Sequence, residues 1–146
     1  ASDAVRWGRA AAIIRYATLD VIRTGKAAGR SPRELGLASA KAWEGTWTGA
    51  DTPYRLFRGF AWNNFTDPDY VCEVLAASPT QVQARCNRPW SATVTAEAQR
   101  TGVSVDDYEA YQLGIEQGIA ASLGMTWEVV VAAEGAMRRT ITVRKN

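Results

Sequence analysis

The chain has 146 residues, a length at which one domain can bury a sizeable core without metal ions or disulfides. With 47% hydrophobic and 22% charged residues, the composition is that of an ordinary globular protein, and no apolar run approaches the roughly 20 residues that span a bilayer. The net charge is +2 and the basic residues are scattered, which argues against a nucleic-acid surface. We therefore expect one soluble, cytoplasmic domain over residues 1–146.

Residues 3–24 are predicted to form an amphipathic helix. Ser2 or Asp3 can cap its N-terminus, and Gly25 can adopt the left-handed conformation that often follows a helix. The face predicted to pack on the core carries Trp7, Ala10, Ala11, Ile14, Ala17, Thr18 and Val21. The polar side is interrupted by Val5, Tyr16 and Leu19. These are either scattered surface residues or a subunit interface, in which case the chain is a homo-oligomer through this helix.

The next segment begins with a capping box. Ser31 can accept a hydrogen bond from the Glu34 amide, Glu34 can reach back, and Pro32 suits the first helical position. A second helix is therefore predicted to begin here and to run to about Thr48. Residues 54–65 are predicted to be an aromatic-rich connection with a short helical segment.

From Tyr70 the apolar residues alternate with period two, and a break around Pro79 predicts a β-hairpin. If both apolar sets face the core, facing residues have numbers that add to 158, namely Cys72 with Cys86, Val74 with Ala84, and Ala76 with Val82. Cross-strand cysteines are close enough for a disulfide. We favour two free thiols instead, because free Cys is among the most buried residue types.

The C-terminal half predicts a long helix and a second hairpin. Residues 87–101 are expected to be partly helical around Ala96. Ser104 caps a helix that runs to Leu123 and is closed by Gly124. This helix has a core stripe on one side and a stripe of small residues on another, which predicts that it is covered on two faces. The small residues are Ala110, Gly114, Gly118 and Ala121. The last hairpin covers residues 126–133 and 137–145.

Together these elements predict an α+β fold. Two N-terminal helices precede a hairpin, a long helix and another hairpin, so that a four-stranded antiparallel sheet packs against helices. The chain contains no His, which removes His-dependent nucleophilic catalysis and His-ligated metals. It also has no phosphate-binding glycine motif. No metal, cofactor or nucleotide is therefore expected.

Candidate catalytic residues lie on and near the long helix. Glu116 and Gln112 border the apolar stripe that contains Tyr108 and Tyr111. A carboxylate there can have a raised pKa and act as a general acid or base while the tyrosines orient a ligand. The alternative, that Glu116 is a solvated helix residue, is favoured. Cys86 is a possible nucleophile only if a nearby cation stabilises its thiolate.

The six tryptophans and five tyrosines are many for this length. Aromatic side chains most often fill a core, but they can also line a pocket for a planar ligand. The candidate ligand-binding residues are Trp43, Trp47, Trp62, Trp90 and Gln112, with Trp127 as a further member of the aromatic cluster.

The order of elements resembles that of small ligand-binding domains related to vinyl reductases. Short motifs also resemble the bacterial L-2-amino-thiazoline-4-carboxylic acid hydrolase-like family; they are residues 71–86, Gly102-Val103-Ser104, Tyr108, Tyr111 and residues 123–129. The resemblance implies hydrolysis of a C–N bond in a small heterocyclic acid, without metal or nucleotide. Its motifs do not identify catalytic residues position by position.

Three functions remain open on the sequence. The first is a small-molecule hydrolase that uses Glu116, Tyr108 or Tyr111, and Cys86. The second is a non-catalytic, aromatic-lined module for a small-molecule ligand. The third is a structural or assembly subunit, which the apolar residues on the outer side of the first helix would serve.

Overall fold

The computed structural model describes residues 1–64, 69–88 and 92–146, apart from the side chains of residues 92–94. The helices in these ranges are α1 (Asp3–Ala27), α2 (Pro32–Trp43), α3 (Pro53–Asn64), α4 (Ala92–Thr101) and α5 (Val105–Ser122), with a 3₁₀ turn at Glu44–Trp47. The strands are β1 (Cys72–Ala77), β2 (Gln81–Cys86), β3 (Met125–Val131) and β4 (Arg139–Lys145). The predicted α+β fold is confirmed. No helix in the described ranges is both long and apolar enough to cross a membrane.

The predicted capping box at Ser31 and the predicted N-cap at Ser104 are both present, and Ser104 also forms a capping box. The Ser31 hydroxyl accepts from the Glu34 amide at 3.3 Å, and the Glu34 carboxylate accepts from the Ser31 amide at 2.9 Å. Ser104 and Asp107 make the same reciprocal pair, with both distances 3.0 Å. Gly124, with φ of 68°, follows α5. The local polar chemistry therefore determines where these two helices begin.

The predicted core face of α1 is wrong. Its buried residues are Ala11, Leu19, Ile22 and Gly25, whereas Trp7, Ile14 and Val21 are 60%, 54% and 45% exposed. The side of α1 that packs on the rest of the domain also carries two ion pairs. Arg15 pairs with Glu97 on α4, and Lys26 pairs with Asp107 on α5. The helix also continues through Gly25 to Ala27, and Gly29, with φ of 79°, follows the cap.

The segment after the 3₁₀ turn is more regular than predicted. Instead of a connection with a short helical piece, residues 53–64 form the three-turn helix α3. Its buried side chains recur at helical spacing and include Leu56, Phe57, Phe60 and Ala61. Burial of this apolar face stabilises α3 as a regular helix. The many aromatic residues of the segment had predicted only a connection with a short helical piece.

The sheet has the strand order β1-β2-β4-β3, and every neighbouring pair is antiparallel. The predicted pairs Cys72 with Cys86 and Val74 with Ala84 are confirmed. The pair Ala76 with Val82 is wrong, because an irregularity after Val74 shifts the register and Val82 faces Ala77. Val82 and Ala84 are buried, but β1 lies at the sheet edge and is largely exposed.

The long helix α5 is covered on two sides, as the small-residue stripe predicted. Gly114 and Gly118 lie against α2, where a methyl group on Gly118 would be 2.5 Å from Ala40 Cβ. On the other side, α5 packs on β3, whose Trp127 is 2% exposed. The helix is thus held between α2 and the sheet.

Candidate functional site

A buried polar cluster lies between α5 and the sheet. Glu116 on α5 is 1% exposed and Arg139 on β4 is 2% exposed, and they form an ion pair with 3.3 Å between Arg139 Nη2 and Glu116 Oε2. Gln112, one turn before Glu116, donates to Glu116 Oε1 at 3.0 Å and to Asn64 Oδ1 at 3.2 Å. The favoured sequence interpretation of Glu116 as a solvated helix residue is therefore wrong.

The arrangement follows from two local periodicities. Glu116 lies four residues after Gln112 and three before the buried Ile119, so these side chains share one side of α5. In β4 the inward positions alternate, and Arg139 occupies the same face as the buried Ile141 and Val143. That alternation was visible in the sequence, but it did not indicate which carboxylate Arg139 would meet.

Burial affects the pKa values of Glu116 and Arg139 and that of Tyr70, a buried residue whose titration both charges influence. It raises the pKa of Glu116, although Arg139 and the Gln112 hydrogen bond act in the opposite direction. Burial alone would lower the pKa of Arg139, but the charges of Glu116 and its neighbours raise it overall. Burial also raises the pKa of Tyr70 to about 12, against the lowering influence of Arg139. The charges of Glu116 and Arg139 thus act against the desolvation that burial imposes on each.

Two buried polar atoms of the cluster, Arg139 Nη1 and Gln112 Oε1, have no hydrogen-bond partner in the part of the chain that the structure describes. Trp127 contributes to lowering the pKa of Glu116, although its indole nitrogen has no hydrogen-bond partner of normal geometry among the described residues. Each unpaired buried group costs about 1–3 kcal/mol. A general acid must also reach its substrate, and the Glu116 carboxylate is enclosed by protein.

The other predicted catalytic residues do not converge on Glu116. The Tyr111 hydroxyl is 3.0 Å from Ser39 Oγ on α2, on the opposite side of α5. Tyr108 is half-buried and packs against the core. Cys86 is fully buried and bonded to Cys72, so the preference for free thiols and the proposed thiolate nucleophile are both wrong. The two cysteines face each other on neighbouring antiparallel strands, which places their sulfur atoms within bonding distance.

A second site is an open groove lined by aromatic side chains. Trp43 ends α2, Trp47 ends the 3₁₀ turn, and Trp62 lies on α3. These three residues line a groove of about 480 Å³ together with Thr46, Gly59 and Asn63. Trp43 and Trp62 are 47% and 66% exposed. The predicted ligand-binding residues Trp43, Trp47 and Trp62 are thus neighbours in space.

Packing beneath the groove holds Trp47 in place. Its ring stacks on Phe60, with 4.4 Å between ring centroids and 18° between planes. Gly59 gives it room, because a methyl group there would lie 2.7 Å from Trp47 Cζ3. Two ring contacts then connect Phe60 and Phe57 to Trp127 in the core. The floor of the groove is therefore continuous with the hydrophobic core.

Cationic side chains adjoin this aromatic groove. The Arg58 guanidinium carbon lies 5.4 Å from the centre of the Trp62 ring, within cation–π range. A second concavity of about 430 Å³ shares Thr46, Trp47 and Gly59 with the first and adds Arg55 and Arg58. Arg55 is paired with Asp51 at 2.8 Å. Sequence reasoning missed Arg58, although its position four residues before Trp62 on a helix was available.

The remaining ligand-binding candidates do not belong to the groove. Gln112 lies in the buried polar cluster, and Trp90 lies outside the described residues. Within the ranges that the structure covers, no three His, Cys, Asp or Glu side chains are grouped as metal ligands. The chain matches no family model, and no curated protein or solved structure is significantly similar to it.

Proposed function

We propose that this chain is a non-catalytic binding module for a small planar aromatic or heterocyclic carboxylate. The observation that carries the proposal is the aromatic groove, in which Trp43 and Trp62 remain about half exposed or more beside Arg58. Large aromatic rings are ordinarily buried, and their exposure around one concave surface is typical of ligand sites.

The chemistry of the groove favours a flat anion. Offset stacking on an indole ring contributes about 0.5–1.5 kcal/mol beyond the area it buries. The planar Arg58 guanidinium offers several donors to a carboxylate while it lies over an aromatic ring. Trp47 is already ordered by its stack on Phe60, so little side-chain entropy is lost there on binding.

Binding without chemistry is the better-supported of the proposed functions. Among the described residues, no carboxylate or thiol lines the groove, and the buried acid Glu116 is enclosed with Arg139. The hydrolase activity that the family resemblance implies stays a prediction. Its implied substrate, a small heterocyclic acid, has the same planar and anionic character as the ligand proposed for the groove.

Calorimetric titration with quinoline-2-carboxylate tests the proposal. For a probe of this size, we expect a Kd on the order of 0.1–1 mM at ordinary ligand efficiency. The neutral carboxamide should bind at least about 5-fold more weakly because it lacks the charge that Arg58 would pair with. Non-planar cyclohexanecarboxylate should show no measurable binding because it cannot stack.

Two aromatic-to-alanine variants provide the matched comparison. Trp62→Ala should weaken binding by about 10-fold, since a stacking face is lost. Tyr16→Ala removes an exposed ring from α1, outside the groove, and should leave the affinity unchanged. Equal binding by Trp62→Ala and the unchanged protein, or no binding at millimolar probe, would overturn the proposal.

A further inference from the structure

Helix α1 carries an apolar stripe that no part of the described chain covers. Its members are all exposed and are separated by alternating steps of three and four residues; they are Trp7, Ala10, Ile14, Ala17 and Val21. The core-facing side of the helix is a different one, formed around Ala11, Leu19 and Ile22. Alternating steps of three and four are the spacing by which two helices pack along a seam.

The sizes along the stripe also alternate. Large residues occupy every seventh position, at Trp7, Ile14 and Val21, whereas Ala10 and Ala17 lie between them. A solvated helix surface requires no such order of large and small side chains. We infer that a second copy of this chain covers the stripe, through antiparallel pairing of the two α1 helices about a twofold axis.

Side-chain volume selects the antiparallel orientation. In that arrangement each large residue faces a small one of the partner copy, in pairs whose numbers add to 31: Trp7 with Thr24, Ile14 with Ala17, and Val21 with Ala10. In a parallel, in-register pair, Trp7 would meet Trp7 and Ala10 would meet Ala10. The two tryptophans would be too large for the space between the helices, and the two alanines would leave a cavity. Overpacking and cavities both destabilise an interface.

Electrostatics favour the same orientation. An antiparallel pair places the positive end of each helix dipole beside the negative end of the other. It also moves the Arg6 side chains of the two copies to opposite ends of the seam, whereas a parallel pair would bring them to the same level. A closed twofold contact uses the same stripe on both copies and leaves none of it exposed.

The area is sufficient for a specific contact. The seam from Asp3 to Thr24 is about 30 Å long at the rise of an α-helix. The side chains of Trp7, Ile14 and Val21 are 60%, 54% and 45% exposed. Together with the residues that flank them, they offer roughly 500 Å² of surface per copy, and two copies reach the ~1,000 Å² total of a biological interface. The contact is therefore that of a modest dimer.

Sedimentation of the full chain tests the inference. We expect a monomer–dimer equilibrium that is largely dimeric at about 100 µM. Ile14→Glu places a charge at the middle of the seam and should raise the dimer Kd by at least about 100-fold with an unchanged helical spectrum. Tyr16→Glu alters a comparably exposed residue, 51% against 54%, on another side of α1 and should remain dimeric.

Cysteine crosslinking tests the orientation. Under oxidation, a mixture of the Ala10→Cys and Val21→Cys proteins should form the mixed disulfide dimer, whereas Ala10→Cys alone should not crosslink. Self-crosslinking of Ala10→Cys would overturn the antiparallel arrangement. A chain that stays monomeric, or a dimer that Ile14→Glu leaves intact, would overturn the inference, and a monomer that instead binds lipid vesicles through the stripe would assign it to a membrane surface.

Discussion

Gly36 on α2 and Gly114 on α5 are in direct backbone contact. A methyl group built on either glycine would lie 3.0 Å from the α-carbon of the other. The methyl group on Gly36 would also lie 2.0 Å from the Tyr111 carbonyl oxygen, and that on Gly114 would lie 2.4 Å from the Arg33 carbonyl oxygen. Because these are backbone atoms, no side-chain rotation relieves the overlap.

Alanine at either glycine is therefore expected to force the two helices apart. Gly36→Ala and Gly114→Ala should each lower the free energy of unfolding by about 2–4 kcal/mol, measured by urea denaturation. Gly45→Ala is the control, since an added methyl group there meets nothing within 4 Å, and its effect should stay within about 0.5 kcal/mol. Wild-type stability in both helix variants would contradict the close packing.

The buried ion pair predicts an asymmetry between single and double substitutions. Glu116→Gln leaves the Arg139 charge buried without its partner and should lower the free energy of unfolding by about 3–5 kcal/mol. Replacing both residues together, as Glu116→Leu with Arg139→Met, removes both desolvation penalties and should recover most of that loss. A double variant as unstable as the single one would show that the pair does not act as a unit.

Tyr70 predicts a loss of stability at alkaline pH. Its folded pKa of about 12 lies above the ordinary value of 10.0, so its contribution to stability is complete below pH 10.0 and is lost as the pH rises through 12. Over the first unit above pH 10, the free energy of unfolding should fall by roughly 1 kcal/mol on this account. In urea denaturation at several pH values, the Tyr70→Phe variant should not show this fall in the free energy of unfolding. If the variant and the unsubstituted protein lost the same stability above pH 10, Tyr70 would not be the cause.

The disulfide predicts a chain without free thiols and a moderate gain in stability. Cys72 and Cys86 are 14 residues apart, and closing a loop of this size stabilises the folded chain by about 3 kcal/mol. The Cys72→Ala, Cys86→Ala double variant should lose that amount in urea denaturation, and reductant should weaken only the unsubstituted protein. Two titratable thiols in the denatured, unreduced chain would contradict the bond.

Local sequence chemistry was sufficient for much of the fold. Several features depend on residues close together in the chain, and each could be interpreted without knowing the rest of it. They are the capping box at Ser31, the N-cap at Ser104, the small-residue stripe of α5 and the two alternating hairpin patterns. Trp43 and Trp62 were also among the predicted ligand-binding candidates, and both are exposed beside the groove that they line.

Other features depend on residues that only folding brings together. The ion pair joins Glu116 to Arg139 across 23 positions, and Arg15 with Glu97 across 82 positions helps determine which face of α1 docks. The alternating apolar residues of β1 predicted that one face of this strand is buried, but β1 lies at the edge of the sheet and is largely exposed. A shift after Val74 also changes the register in which β1 pairs with β2.

The sequence by itself thus determined where the capped helices begin, which segments are strands and which helix is covered twice, since these depend on hydrogen bonds and periodicity within one segment. Only the tertiary structure decided that Glu116 is buried, that Cys86 is bonded and that the strongest apolar stripe of α1 faces outward. A periodic pattern shows that a face is apolar, but the partner that covers it is set by long-range packing.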